Sequence, residues 1–482
     1  MKAFGNIAKD GQVRAVASGA LTDGKPVIVN SNGTVSVVAG SPTGTGTVAE
    51  FDSDRASFLS AVFDSVNNKV VLCYRDNGNQ GKAVVGTVSG TSISFGSIAT
   101  WTTNNPSSLN AAFDVNSGKV VITYRDSSNS SYGTAVIGTV SGTSISFGSP
   151  VVFQSVSTLD PFPSYDSNAQ KTVIFYHDNT NATPEGIVGT VSGTSISFGS
   201  PTIIESGLGS RTLFWAAFDT TNNKHIVTYK NGYDSNHGYA VVATVSGTSV
   251  SFGTSAEFLA ATLSYSTVNY DPTSGKGFLA YKASGVGYGQ TATISGTSIS
   301  FGTAVAITGS SGPSYIKAIY DPDNDNMVLT WTDTGTTSQT YVGLASISGT
   351  AVSFSSVGAL TSFPSGEYMF INAMTYDTNE NQIVQAYTYF DGGSPYPSKG
   401  NVIFVGSTNL TSENFIGFSD GAFADTQSAV INTANTIDRN QSSLTAGQTL
   451  FVQTDGTLGE TAADPSVTAG TAISATEIIV KG

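Results

Sequence analysis

Three histidines, His177, His225 and His237, and one cysteine, Cys73, are all this chain offers as soft metal ligands. Zinc needs several nitrogen or sulfur donors converging at short spacing, and His-Glu-x-x-His, His-x-His and paired cysteines are all missing. The Gly-x-x-x-x-Gly-Lys-Ser/Thr phosphate loop is missing too, and Gly-x-Ser-x-Gly, which occurs once as GFSDG (417–421), is absent as a nucleophile elbow, since no helical period follows it. We therefore expect no metal, no cofactor and no catalytic residue of these classes. An unrecognised pair of carboxylates flanking a glycosidic bond stays open.

Two columns of charge recur instead. An aspartate follows an aromatic residue at Phe63-Asp64, Phe113-Asp114, Tyr165-Asp166, Phe218-Asp219, Tyr270-Asp271, Tyr320-Asp321 and Tyr376-Asp377. A ring of acids is one reading. Aspartates that open a turn by accepting backbone N–H bonds is the stronger one. DPDNDN (321–326) looks like a calcium loop but lacks the glycine at its sixth position and has Thr332 where the bidentate glutamate belongs. The second column is basic: Arg75, Arg125, His177, Lys230 and Lys282, replaced by Thr332 and Thr388 in the last two repeats. These five either pair with neighbouring acids such as Asp76, Asp126 and Asp178 or form an anion-attracting arc.

The elements that position these columns are repeats. SGTSISFG stands at 89–96, 141–148, 192–199 and 295–302, with SGTSVSFG at 246–253 and SGTAVSFS at 348–355. GSTNLTSENF (406–415) occupies the place of a seventh copy. Within a repeat, an apolar run ends on Asp, a turn follows, then a β-branched strand such as KVVITYRD (119–126), a polar loop, TAVIGTVSG, and a Ser-Gly-Thr turn into SISFG. That is four antiparallel strands in about fifty residues, with no helical period anywhere. The expected fold is all-β: a seven-bladed β-propeller over 46–418, flanked by an N-terminal β segment (1–45) and a C-terminal β module (419–482). A linear solenoid is the rival. A propeller sialidase would repeat Ser-x-Asp-x-Gly-x-Thr-Trp boxes, and WTDTGTTS (331–338) matches neither their order nor their repetition.

In a four-strand meander the first and third connections share one face, and these are the uniform turns. The second connection and the crossover share the other face, and they vary freely, from NGNQGK to DGGSPYPSKG. Recognition residues sit on loops held by a rigid scaffold, so the varied face is the expected binding face; loops drifting without constraint are the bland alternative. Besides the basic column it carries Tyr132, Phe162, Tyr233, Tyr288 and Tyr396, read as exposed rings suited to stacking on sugars.

A net charge of −14 with 11% charged residues argues against a phosphate-binding nucleic-acid partner. No run of 18 apolar residues suggests membrane insertion, and MKAFGNIAKDGQVRAV lacks the apolar region of a secretory signal. Cys73 is expected buried and inert inside a strand. The two chain ends resemble each other: GALTDGKPVIVNSNGTVSVVAG (19–40) aligns with SSLTAGQTLFVQTDGTLGETAADPSVTAG (442–470), and a closed ring brings both to one seam. They are expected to pair into one small β domain, with two independent lobes as the alternative.

FIGFSDGAFAD, the LTAGQTLFVQTDGTL hairpin, PSVTAGTAIS and the closing IIVKG resemble modules of bacteriophage virion proteins, particularly tail-fibre and surface-appendage proteins of marine phages. The resemblance implies a non-enzymatic virion protein, assembled in the host cytoplasm and exposed on the particle as a homo-oligomer. Its expected partners are other virion proteins, through the domain built from both ends, and host-surface polysaccharide. A capsid-decorating protein without a ligand and a propeller glycosidase are the alternatives.

Overall fold

The recurring aspartate folds each repeat. Asp64 accepts the N–H groups of Val66 and Asn67 at 3.0 and 2.9 Å, and Asp166 those of Asn168 and Ala169 at 2.9 and 2.7 Å. Asp219, Asp271 and Asp377 do the same one, two and four repeats further on. Asp321, the first residue of DPDNDN, accepts from Asp323 N at 3.0 Å and Asn324 Nδ2 at 2.9 Å, so this stretch is the same turn. All seven carboxylates are buried and committed to hairpins, as the turn reading expects. Where the residue before the Asp is Tyr165, Tyr270 or Tyr320 it braces the preceding repeat's turn: the Tyr165 hydroxyl accepts Asn116 N–H at 3.1 Å.

The structure, a computed structural model, describes residues 11–40, 44–205, 211–307, 312–333, 339–359, 368–390, 396–405, 409–462 and 466–481. Every regular element among them is a β-strand. Two compact units emerge, Thr45–Phe404 and Met1–Gly44 together with Val405–Gly482.

In the first unit each repeat is an antiparallel sheet. The second repeat pairs Pro106–Asp114, Lys119–Asp126, Tyr132–Ser141 and Ser144–Phe147 in that order. The innermost strands are Ser57–Asp64, Pro106–Asp114, Val151–Asp166, Arg211–Asp219, Leu263–Asp271, Pro313–Asp321 and Tyr368–Asp377. Each lies beside the next, and the last lies beside the first, which closes a seven-bladed β-propeller. Apolar side chains interdigitate between adjacent blades, as where Val71, Cys73 and Trp101 meet Ile122 and Tyr124. Cys73 is a free, fully buried thiol, and burial raises its pKa.

The seventh blade corrects the sequence reading. Its outer edge is the N-terminal strand Ala49–Asp52, which pairs antiparallel with Ser398–Phe404; of the expected GSTNLTSENF (406–415), residues 406–408 lie outside the described residues. Phe415–Ser419 belongs to the other unit, and the propeller unit ends at Phe404 rather than at 418. Borrowing the strand from the far end of the chain ties the ring shut.

Ring closure also explains the repeated octapeptide. A β-carbon on Gly96, Gly148, Gly199, Gly253 or Gly302 would collide with the backbone carbonyl of Thr143, Thr194, Thr248, Thr297 or Thr350, the threonine of the next blade's Ser-Gly-Thr turn. Gly46, on the closing segment, meets Thr91 of the first blade in the same way. The seventh blade has no Ser-Gly-Thr turn, and the sixth, which faces it, carries Ser355 in place of glycine. There the outer strand runs unbroken over Ala351–Ala359.

In the second unit the two chain ends share a sheet ordered Gln12–Val16, Ser428–Asn432, Phe415–Ser419, Pro26–Val29, Val35–Val37. A second sheet holds Thr449–Val452, Leu458–Gly459, Val467–Ala472 and Ile478–Val480, and Ile28, Val38 and Phe418 pack with Leu450, Val452 and Ile478 in one core.

Gly148→Ala is expected to destabilise the propeller by about 1–3 kcal/mol, the scale of overpacking against unyielding backbone. Gly142, at φ 61° with open space around its α-carbon, should accept Asn within about 0.5 kcal/mol, because Asn tolerates this conformation. Urea denaturation of both variants measures the contrast.

Candidate functional site

Among the described residues, six innermost strands carry a left-handed residue at the same level. Phe58, Ser108, Asp160, Leu213, Tyr265 and Tyr315 have φ of 51°, 49°, 46°, 56°, 49° and 56°, and the register with the second strand shifts at each. These are β-bulges. A non-glycine residue held in the left-handed region costs about 1–3 kcal/mol and persists where its surroundings impose it, commonly at functional sites. Each lies six residues before its turn aspartate. The bulges turn these side chains into the mouth of the central channel, where with their neighbours they line a cavity of about 470 Å³.

Aromatic rings and cations meet at this mouth. The rings of Tyr265 and Tyr315 lie 5.2 Å apart, centroid to centroid. The guanidinium of Arg75 sits 4.8 Å from the Phe58 ring centre, and Lys282 Nζ 5.8 Å from that of Tyr265. One layer deeper, Ser60, Asn110, Phe162, Trp215, Thr267 and Lys317 narrow the channel to a neck of about 120 Å³. Trp215 there packs against Phe162 at 4.9 Å, and Lys317 Nζ lies 3.8 Å from the Trp215 ring centre. Burial pushes the Lys317 ammonium down to about 7. Burial and the nearby Arg55 lower Arg75 from its ordinary value, against a smaller upward pull from Asp76.

The basic column gathers at this end of the strands. Arg75, Arg125, His177, Lys230 and Lys282 stand opposite Ser57, Ser107, Leu159, Thr212 and Ser264, each immediately before its strand's bulge residue. Among them Arg75 lines the cavity. Its Nη1 donates to Asn105 Oδ1 at 3.2 Å, and Asp76 pairs instead with Lys82 at 3.7 Å. His177 is buried, 1% exposed, and so cannot present itself to a macromolecule on the face.

Most of the expected surface rings are also elsewhere. Tyr233 is exposed, at 73%. Phe162 lies in the neck. Tyr288 opposes Tyr281 in register and stacks on it at 5.8 Å, while Tyr132 and Tyr396 are half-buried. The sequence overstated their exposure because cross-strand neighbours that cover a ring are invisible in a loop's composition.

The histidines have structural surroundings. His225 is buried between Ser164 Oγ at 3.1 Å and Asp166 at 3.5 Å. His237 Nδ1 lies 2.7 Å from Glu257 and 3.5 Å from Asp234, a cluster whose ligand-type atoms fall within 4.8 Å of one another. No spacing motif announces it, since Glu257 arrives from Ala256–Leu259, two strands later in the chain; its geometry is that of an imidazole held against carboxylates.

No protein-family model matches the chain, and no curated protein matches it by sequence. Among solved structures it is similar to the Dos1 propeller, at 9% identity over 75% of this chain and 94% of that one, with a TM-score of 0.45. The C-terminal WD40 domain of Sif2 matches at 9% identity over 75% and 99%, with a TM-score of 0.41. Aleuria aurantia lectin in complex with alpha-methyl-L-fucoside matches at 13% identity over 65% and 97%, with a TM-score of 0.40. At such identities the likeness concerns the fold alone.

Lys317 yields a pH prediction. Its folded pKa, about 7, lies below the ordinary lysine value of 10.5, so the unfolded chain holds more protons between them. This residue's contribution to stability therefore rises from pH 7 towards 10.5. Lys317→Met should be more stable than the parent at pH 7, by about 1–3 kcal/mol, with the gap narrowing at pH 9. Urea denaturation of both proteins at the two pH values measures it.

Proposed function

We propose that this chain is a non-enzymatic sugar-binding propeller displayed on a bacteriophage particle, as a tail fibre or similar surface appendage that attaches to host glycan. The virion part of this reading is supported by the resemblance of the terminal segment to appendage modules. The binding part is carried by one observation in the channel mouth. Ser266 Oγ and Asn372 Oδ1 are buried atoms with no hydrogen-bond partner among the described residues, and both residues line the cavity that carries the Tyr265 and Tyr315 rings.

An unpaired buried polar atom costs about 1–3 kcal/mol, which a ligand hydroxyl would recover. Asn372 spends its Nδ2 on Tyr315 O at 3.1 Å and Thr330 Oγ1 at 3.3 Å, which fixes the amide with its oxygen left over. Sugars present an apolar ring face edged by hydroxyls, and this wall offers aromatic faces edged by free acceptors. Asp160 is the one carboxylate among the described lining residues, and its Oδ2 accepts Leu213 N–H at 3.1 Å. That supports binding over hydrolysis by a carboxylate pair.

The test is a glycan array with the full chain, followed by titration of the best sugar. Tyr265→Ala with Tyr315→Ala should weaken that sugar by about 1–3 kcal/mol, the cost of removing well-packed anchors, and leave the denaturation midpoint nearly unchanged. Product release from host polysaccharide would overturn the non-enzymatic part. Absence of any sugar binding would leave a decoration protein in its place.

A further inference from the structure

We infer that the sugar taken at the channel mouth is acidic, a monosaccharide unit bearing a carboxylate that docks on Lys317 while its ring lies against the aromatic wall. The inference rests on the sugar-binding reading above and adds the ligand's charge. The chain as a whole is strongly anionic, at −14, yet the described lining of this cavity sets Arg55, Arg75 and Lys317 against Asp160 alone. An acidic protein that concentrates cations in one concave, low-dielectric site focuses a positive field there.

Two of these cations, Arg75 and Lys317, are also underused. Asp160 already accepts the Leu213 amide, and Arg75 Nε is buried without a hydrogen-bond partner. Lys317 has the Trp215 ring at 3.8 Å as its neighbour and no hydrogen bond or ion pair among the described residues. Lys317 is half-buried at the channel wall, and a desolvated ammonium without a partner is costly unless a counter-charge arrives. Lys317 borders both the mouth and the neck, so its Nζ is the cation placed where the cavity narrows. A ring whose carboxylate meets Nζ would lie beside Trp215. The volume of about 470 Å³ falls in the range of small-molecule sites. Burial disfavours the charged lysine, and an arriving carboxylate favours it, so binding at neutral pH should draw a proton from solution.

Calorimetric titration of the full chain with sodium glucuronate, sodium galacturonate, their methyl esters, glucose and glucose 6-sulfate tests the inference. At least one acid should bind tenfold or more tightly than its ester, with proton uptake seen as a heat that varies with the buffer's ionisation enthalpy. Lys317→Met should abolish the acid–ester difference while keeping ester binding. Lys119→Gln, which removes a charge at the Asp-turn end of the strands, should keep the difference. Equal binding of acid and ester, or a sulfate ester equal to the best carboxylate, overturns the carboxylate assignment while sugar binding stands. If no sugar, neutral or acidic, binds here or on the array, the sugar-binding reading falls and takes this inference with it.

Discussion

The contact between a glycine α-carbon on one blade and a threonine carbonyl on the next is the constraint on which this propeller depends. It admits no side chain, so it fixes how closely outer edges approach, and it recurs at five interfaces between repeats and at the closing seam. The departure at the sixth blade follows the same logic: with no Ser-Gly-Thr turn beyond it, serine replaces glycine and the outer strand continues. Repetition of an octapeptide is thus a packing requirement imposed by each neighbour, rather than an echo of duplication alone.

A ring held this tightly at its rim and by buried turn aspartates can carry strain at its centre. Six of the described residues sit in left-handed backbone at the channel mouth, and four of them, Phe58, Leu213, Tyr265 and Tyr315, are bulky. Neighbouring strands leave them no route back to the pleat, so the same scaffold that pays this conformational cost also presents a preformed, largely rigid wall. The cavity's polar atoms gain from this rigidity, because Asn372 cannot rotate to satisfy its oxygen without surrendering two bonds made by its nitrogen.

Blade number, strand order and the structural role of the aspartates were legible because local chemistry sets them: a turn aspartate bonds residues two and three positions away. The seventh blade's edge was not, since it joins Ala49–Asp52 to Ser398–Phe404 across most of the chain, and a Gly-Ser-Thr stretch in the right place mimicked the missing hairpin. The basic column was visible as a repeat position, and its place beside the mouth follows from strand register. The bulge ring was hidden because Phe58, Ser108, Asp160, Leu213, Tyr265 and Tyr315 share a conformation and no side-chain chemistry. Only their constant distance from the turn aspartate marks them. Lys317 was missed for a related reason: it stands alone in a layer where other blades place serine, asparagine, threonine, alanine or an aromatic ring.

The borrowed strand sets an order of events during synthesis. Ala49–Asp52 is made early, and the edge it completes, Ser398–Phe404, emerges roughly 350 residues afterwards, a delay of about 20–70 s at ordinary elongation speeds. Throughout that interval six blades can form hairpin by hairpin while the ring stays an open arc, its first blade exposing an apolar flank meant for the seventh. Within the propeller an early-made strand is therefore among the last to be seated, and the nascent chain must keep an unpaired β edge soluble until the circle can shut.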